Sequence, residues 1–136
     1  MIGFVVVTHG RLGAELINTA EFILGRIENC ASVSIDGQDS PEQIRDRIQE
    51  AIKANNHGDG VLVLTDMFGG TPSNLSLAFL EQGQVEVLTG VNLPMIIKIA
   101  QSREKQPLAE LAQSVGAYGR KSISVAGEIL NKKPKP

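Results

Sequence analysis

The sequence predicts a single α/β domain, doubly wound, with helices on both faces of a mainly parallel sheet. Apolar runs short enough for strands alternate along the chain with longer segments whose apolar residues recur at helical spacing. The first run, residues 2–7, is apolar without alternation, which is typical of a strand buried on both faces. With 136 residues, 42% of them hydrophobic, the chain can fill one core.

The composition argues against several classes of function. Thirteen basic and fifteen acidic residues give a formal net charge of −2, which favours neither nucleic acid nor a membrane surface. No run reaches the roughly 18 apolar residues of a membrane span, and the first run is too short for a signal-peptide core. The single cysteine, Cys30, excludes an internal disulfide framework and fits a reducing compartment. We therefore expect a soluble cytoplasmic protein.

The first predicted strand ends at His9. A helical pattern then begins at Gly10 or Arg11 and stops at Gly25, a residue suited to the left-handed position after a helix. The expected buried face of this helix consists of Leu12, Leu16, Ile17, Ala20, Ile23 and Leu24. His9 therefore lies in a strand-to-helix turn at the carboxyl end of its strand, where open α/β sheets bind ligands.

A second strand and helix follow. Residues 30–35 alternate well enough to form a strand. Ser40 is expected to cap the next helix, with Pro41 in its first position and Gln43 reaching back to the cap backbone. The apolar face of this helix consists of Ile44, Ile48, Ala51 and Ile52.

The third strand, residues 61–64, resembles the first and ends in Thr65 and Asp66. After a loop at residues 67–70, a helix is predicted with Thr71 as its cap and Pro72 in its first turn. The apolar residues of this helix are Leu75, Leu77, Ala78, Phe79 and Leu80.

The remaining elements are a fourth strand at residues 85–88 and two helices that begin at Pro94 and Pro107. The apolar residues of the second of these helices are Leu108, Leu111, Ala112 and Val115. Residues 122–125 are predicted to form a short last strand, whose partner is not apparent from the sequence. We assign residues 1–130 to the domain and residues 131–136, rich in Lys and Pro, to a solvated tail or linker stub.

The residues that could carry chemistry follow the first and third strands. If these strands are neighbours, His9 and Asp66 emerge at the same edge of the sheet. A carboxylate that binds one imidazole nitrogen fixes the tautomer and leaves the other nitrogen free as a base, ligand or nucleophile. The surrounding glycines and hydroxyl residues predict an anion site of phosphate size. The predicted phosphoryl-binding residues are Thr8, Gly10, Gly69, Gly70, Thr71 and Ser73.

Other chemistries find less support. The sequence has no Gly-x-Ser-x-Gly nucleophile elbow, Walker loop or dinucleotide fingerprint. A zinc site needs three or four ligands, but the other histidine, His57, lies in a polar turn. A receiver domain needs acidic residues at the end of its first strand, where Thr8 and His9 stand. A purely structural role for His9, or a loop-capping role for Asp66, stays open.

Three blocks of the sequence resemble the mannose-type IIA component of the bacterial phosphoenolpyruvate-dependent sugar phosphotransferase system. They are VVTHG at residues 6–10, TDMFGGTPSN at residues 65–74 and GVNLPM at residues 90–95. The resemblance covers essentially the whole chain. It implies a phosphocarrier whose His9 takes a phosphoryl group from HPr and passes it to a IIB component. Asp66 matches the aspartate that orients the histidine, and Thr71 matches the hydroxyl residue of the phosphoryl pocket.

The resemblance also implies a homodimer in which a C-terminal edge strand is exchanged between subunits, which gives residues 122–125 a partner. Phosphoryl transfer between imidazoles needs positioning, a neutral nitrogen and donors to the phosphoryl oxygens, so we expect no metal and no other cofactor. Met67 with Phe68, or Leu93 with Met95, are candidate contacts for the partner proteins, although a core role is open for each.

Two other functions stay open from the sequence. The same fold could serve as a non-catalytic regulatory or binding module that takes an anion or a partner protein. The phosphocarrier subunit of dihydroxyacetone kinase shares the start of the pattern, but its family lacks the GGTP block at residues 69–72. A carrier of this type could feed a permease or report its phosphorylation state to a regulator. No IIB domain follows within the sequence, so we expect transfer to a separate protein.

Overall fold

Four parallel strands form the sheet in the spatial order β2-β1-β3-β4, in a computed structural model that describes residues 1–131. The strands are β1 (Gly3–His9), β2 (Cys30–Ile35), β3 (Val61–Thr65) and β4 (Val85–Thr89). β1 and β3 pair directly, so the condition under which His9 and Asp66 emerge at the same edge is fulfilled. The chain leaves β1 for β2 on one side and then returns to β3 on the other. The carboxyl ends of β1 and β3 therefore flank the topological switch point, where open α/β sheets bind ligands.

Helices cover both faces of this sheet. In chain order they are α1 (Leu12–Leu24), α2 (Pro41–Asn55), α3 (Thr71–Leu77), α4 (Leu93–Ser102), α5 (Leu108–Lys121) and α6 (Ala126–Asn131). α1, α4 and α5 contribute to the core on one face, and α2 and α3 pack on the other. The predicted doubly wound α/β fold is confirmed. None of the helices in residues 1–131 has the length and apolarity needed to cross a membrane.

The central strands show why their sequences lack alternation. Phe4 and Val6 of β1 belong to one core cluster, whereas Val5 and Val7 belong to the cluster on the opposite face, and all four are fully buried. Because both faces are covered, the strand is apolar at every position from Phe4 to Val7. The residues of β3 divide between the same two clusters.

Local start and stop signals are confirmed at α1 and α2. The Ser40 hydroxyl accepts a hydrogen bond from the Gln43 backbone N–H at 3.2 Å, and the Gln43 side chain accepts one from the Ser40 N–H at 3.0 Å. This reciprocal pair is the predicted capping box. α1 is followed by Gly25, whose φ of +87° favours glycine.

The apolar face predicted for α1 is only partly correct. Ile17 and Ala20 are buried, but Leu12, Ile23 and Leu24 are exposed by more than a third. At about 100° per residue, Leu12 and Ile23 lie roughly 80–100° around the helix from the stripe that faces the sheet. Leu24 lies in the last turn of the helix.

The strand predicted at residues 122–125 is not formed. Ser122 is part of the turn that ends α5, residues 123–125 are irregular, and α6 follows. A strand needs a neighbouring backbone to pair with, and in the single chain this segment pairs with none of the four strands. α6 includes Asn131, the first residue of the predicted tail, and the rest of that tail, residues 132–136, lies outside the described residues.

Candidate functional site

His9 and Asp66 form a hydrogen-bonded pair at the carboxyl edge of the sheet. His9 Nδ1 lies 2.7 Å from Asp66 Oδ2, and the same oxygen accepts a hydrogen bond from the His9 backbone N–H at 3.0 Å. Asp66 Oδ1 accepts another hydrogen bond, from the Met67 N–H at 3.0 Å. The imidazole is 51% exposed, whereas the Asp66 side chain is only 12% exposed. The structure therefore presents a histidine at the surface whose orientation is fixed from below.

The charge state of Asp66 determines which imidazole nitrogen is available. Burial raises the pKa of the Asp66 carboxyl, but hydrogen bonds from the His9 backbone and imidazole, the charge of His9 and the Met67 N–H together lower it below 3.8. Asp66 is therefore ionised at neutral pH and can only accept hydrogen bonds. In the neutral imidazole the proton therefore lies on Nδ1, which leaves the lone pair of Nε2 free. No hydrogen bond within residues 1–131 occupies Nε2.

Thr8 and Gly10 hold the turn on either side of His9. Thr8 is fully buried, and its hydroxyl accepts a hydrogen bond from the Gly13 N–H at 2.8 Å, which ties the end of β1 to the first turn of α1. Gly10 has a φ of +55°, and its N–H donates to the Ile35 carbonyl of β2 at 2.7 Å. The structure therefore engages the Thr8 hydroxyl and the Gly10 N–H within the fold, although both were predicted to bind the phosphoryl group.

Gly69 and Gly70 form the loop beside the imidazole. A Cβ on Gly70 would lie 3.0 Å from His9 Cε1 and 3.6 Å from His9 Nε2, so a side chain at this position would crowd that end of the ring. Gly69 has a φ of +87°, which favours glycine. Gly69 thus allows the turn of the loop, and Gly70 leaves space for the imidazole.

The predicted helix cap at Thr71 is wrong by one residue. Gly70 is the N-cap of α3, without a side-chain hydrogen bond, and Thr71 is the first helical residue. Proline suits the first turn of a helix because its missing N–H needs no partner there, so Pro72 is compatible with either position of the cap. The Thr71 side chain is exposed and lines the same cleft as His9, and its hydroxyl does not cap the helix.

Two further predicted residues lie below the surface. Ser73 is fully buried, and its hydroxyl has no hydrogen-bond partner among the described residues. Met95 is 3% exposed and belongs to the core, whereas Met67 and Phe68 are 57% and 73% exposed. Of the candidate partner contacts, the pair in the loop after Asp66 is thus at the surface.

Helix α3 also ends at Leu77, earlier than its apolar pattern indicated.

A cleft of about 490 Å³ opens beside the imidazole and includes acidic residues that the sequence analysis did not identify. Asp36 and Asp39 lie on its wall, in the loop between β2 and α2. Asp39 is paired with Arg47, whose Nη1 lies 3.1 Å from Asp39 Oδ2. One signal could have identified Asp36 and Asp39. If β2 lies beside β1, the loop that follows β2 reaches the edge of the sheet that carries His9. Within residues 1–131, no three His, Cys, Asp or Glu side chains are grouped to hold a metal ion.

Known proteins resemble this chain along most of its length. The family model described as "PTS system fructose IIA component", where PTS denotes the phosphotransferase system, matches residues 3–116. The chain is 29% identical over 133 residues to the PTS system fructose-specific EIIA component of Bacillus subtilis (strain 168), covering 97% of this chain and 91% of that protein. It is 31% identical over 127 residues to the PTS system mannose-specific EIIAB component of Escherichia coli (strain K12), covering 90% of this chain but 39% of that longer protein.

Solved structures show the same fold. The crystal structure of phosphotransferase system component EIIA from Streptococcus agalactiae superposes with a TM-score of 0.85 at 26% identity, covering 94% of this chain and 99% of that one. The matched family region contains β1 to β4 together with His9, Asp66 and Thr71. The chain belongs to the fructose and mannose family of phosphotransferase system IIA components, as the three sequence blocks indicated.

Proposed function

We propose that this protein is a phosphocarrier that accepts a phosphoryl group on His9 Nε2 from phospho-HPr and passes it to a IIB component. The observation that carries the proposal is the exposed imidazole held through Nδ1 by the ionised carboxylate of Asp66. Membership of the IIA family supports the transferase role.

The transfer needs little from the protein beyond positioning. His9 Nε2 attacks the phosphorus of the donor phosphohistidine, the donor P–N bond breaks, and a new P–N bond forms on Nε2. The imidazole gains positive charge in this step, and the Asp66 carboxylate at Nδ1 offsets that charge. In the onward step, the same bond breaks as the nucleophile of the acceptor attacks. No proton has to leave Nδ1 in either direction.

The residues around Nε2 divide into two roles in this proposal. Thr71, exposed at the same cleft, is the hydroxyl residue that contacts the phosphoryl oxygens. Gly69 and Gly70 leave room for these oxygens beside the ring. Thr8 and Gly10 act indirectly, because their polar groups fix the turn that positions His9.

The surface around His9 is suited to docking. Met67 and Phe68 expose large apolar side chains in the loop that follows Asp66. Phosphoryl transfer between two proteins requires the donor and the acceptor to approach Nε2 closely. The exposed side chains of Met67 and Phe68 give each partner apolar area to bury in that contact. We infer that HPr and the IIB component contact these two side chains in turn.

Transfer in both directions tests the proposal. The protein is incubated with phosphoenolpyruvate, enzyme I and HPr, and its intact mass is measured before and after addition of a IIB component encoded beside it. We expect a gain of one acid-labile phosphoryl group, followed by its loss as the IIB component gains it. If the active donor never phosphorylates the protein, the fold serves as a binding module, and the carrier proposal is wrong.

We also propose that the functional unit is a homodimer. Four apolar side chains between residues 123 and 130 are 57–77% exposed, namely Ile123, Val125, Ile129 and Leu130. β4 pairs with β3 and, apart from an isolated bridge between Val85 and Glu81, with nothing else within residues 1–131, so its outer edge has no neighbouring strand there. A second copy could cover both features if its residues 122–125 pair with this edge, since unpaired sheet edges favour such additions.

Substitution of Ile123 by Asp is expected to shift the protein towards the monomer. Light scattering after gel filtration should give twice the 14.6 kDa chain mass for the wild type and a mass near 14.6 kDa for Ile123→Asp at micromolar concentration. A charge at a 77% exposed position does not disturb the monomer core. The matched control is Ala117→Asp, at an exposed position of α5, which should stay dimeric. Equal masses for both variants would contradict the assigned interface.

Substitution of Gly70 by Ala is expected to slow phosphoryl acceptance by about tenfold, since small displacements of reacting groups carry large costs in rate. The added Cβ would lie 3.0 Å from His9 Cε1, so the imidazole must move against the hydrogen bond that holds it to Asp66. Rates are measured by quenched-flow transfer from phospho-HPr. The control is Gly127→Ala, because no atom lies within 4 Å of a Cβ at that position. Equal rates for Gly70→Ala and wild type would show that this contact does not position the ring.

A further inference from the structure

We propose that a second cleft, at the amino edge of the sheet and opposite His9, binds a small polar anion that carries a phosphate or carboxylate group. The cleft has a volume of about 740 Å³ and lies where the chain enters β1, β3 and β4. Its wall includes Asp59, Gln82, Gly83, Arg103, Glu104, Lys105 and Ala109. The proposal is independent of the phosphocarrier function.

Arg103 is the residue that points to a ligand. It is only 6% exposed, and its guanidinium carbon lies 5.7 Å from the centre of the buried Phe4 ring. A guanidinium has five N–H donors, but the hydrogen bond that Arg103 makes within the described part of the chain is one of 3.4 Å, from Nη1 to the Asn29 carbonyl. None of the other guanidinium donors makes a hydrogen bond within residues 1–131, and Arg103 lines the cleft.

The charge of Arg103 has no bound counter-ion within the part of the chain that the structure describes. None of the four ion pairs found among residues 1–131 includes Arg103. Burial lowers the pKa of the Arg103 guanidinium. The charges of Cys30, Glu104 and Glu28 raise this pKa, but they offset only part of the effect of burial. A buried charge is costly unless a partner group compensates it. An anion in the cleft would supply the missing partner.

The shape and charge of the cleft indicate the class of ligand. Its volume lies within the roughly 300–1,000 Å³ of small-molecule sites, and the planar guanidinium fork matches the two oxygens of a carboxylate or phosphate. Lys105 adds a second positive charge, and Gln82 adds an amide. Two carboxylates, those of Asp59 and Glu104, also lie on the wall, and that of Asp59 contacts the Met1 nitrogen. We therefore place the anionic group of the ligand at Arg103 and Lys105.

Titration of the ¹⁵N-labelled full chain, followed by NMR, tests the proposal. The probes are inorganic phosphate in one series and citrate in the other, both against sodium chloride at matched ionic strength. We expect saturable shifts of the Arg103 Nε–H and of the Gly83 amide with at least one probe. The series that saturates at the lower concentration distinguishes a phosphate site from a carboxylate site.

A pair of matched variants separates a built site from general attraction. Ala109 and Ala117 are both exposed on α5, but only Ala109 lines this cleft. Ala109→Glu places a negative charge in the cleft without removing Arg103, and glutamate suits the first turn of a helix. We expect binding to weaken at least tenfold in Ala109→Glu and to stay unchanged in Ala117→Glu.

Three results would overturn the proposal. The first is the absence of shifts at Arg103 and Gly83 with either probe. The second is an equal response of the two variants, which would indicate general attraction of ions to the surface. The third is a set of shifts confined to His9 and Thr71, which would show that phosphate binds only at the proposed phosphocarrier site.

Discussion

Phosphoryl acceptance is expected to disappear when His9 is replaced by alanine. Removal of a nucleophile that acts directly lowers a rate by more than about a thousandfold, and no other imidazole lies at this edge of the sheet within the described residues. The side chain is 51% exposed, so its removal leaves the core unchanged. The lost hydrogen bond to Asp66 should cost roughly 1 kcal/mol of stability. Intact-mass analysis after incubation with phosphoenolpyruvate, enzyme I and HPr measures the effect.

The chain offers a matched control for this substitution. His57 is the other histidine of the sequence, and it lies exposed in the turn between α2 and β3. His57→Ala should accept the phosphoryl group at the wild-type rate. The assignment of the site would be lost if His9→Ala still became phosphorylated at that rate, or if His57→Ala failed to become phosphorylated while remaining folded.

Substitution of Asp66 by Asn is expected to slow phosphoryl acceptance by about a hundredfold to ten-thousandfold, as when an orienting carboxylate is lost elsewhere. The amide has nearly the shape of the carboxylate, but it can donate a hydrogen bond to Nδ1 across the 2.7 Å contact. That bond favours the tautomer with its proton on Nε2, the nitrogen that must attack. The neutral amide also fails to offset the charge that the imidazole gains. Quenched-flow transfer kinetics measure the loss.

A second measurement separates positioning from a structural role. The ¹⁵N shifts of the His9 ring should show the Nδ1–H tautomer in the wild type and a larger share of Nε2–H in Asp66→Asn. Asp59→Asn is the control, because Asp59 is exposed at the opposite edge of the sheet and far from His9 in the fold. A normal rate in Asp66→Asn together with a shifted tautomer would show that Asp66 does not activate the histidine.

The sequence patterns that were interpreted correctly are those in which local chemistry and burial agree. The unbroken apolar run in β1 follows from burial on both faces, and the Ser40 capping box requires only residues three positions apart. The meeting of His9 and Asp66 depended on one further condition, that β1 and β3 are neighbours. The sequence does not encode this relation locally, and the sheet order supplies it.

The wrong or missing predictions concern relations between distant parts of the chain. Residues 122–125 have strand-like composition, but a strand forms only beside another backbone, and within residues 1–131 this segment pairs with none of the four strands. The N-cap of α3 is Gly70 and not the predicted Thr71, because Pro72 fits the first turn of the helix with either residue as the cap. Arg103 gave no signal in the sequence, since only the fold buries it against Phe4 and leaves it without a carboxylate.

The position of the phosphoryl group on the protein shows whether His9 Nε2 is the atom that accepts it. The ¹⁵N-histidine-labelled protein is phosphorylated by the donor system and studied by ³¹P and ¹⁵N NMR, with His57→Ala used to assign the ring signals. We expect a single phosphoryl group coupled to Nε2 of His9, with Nδ1 still protonated and bound to Asp66. A phosphoryl group on Nδ1, on His57 or on a residue other than histidine would contradict the account.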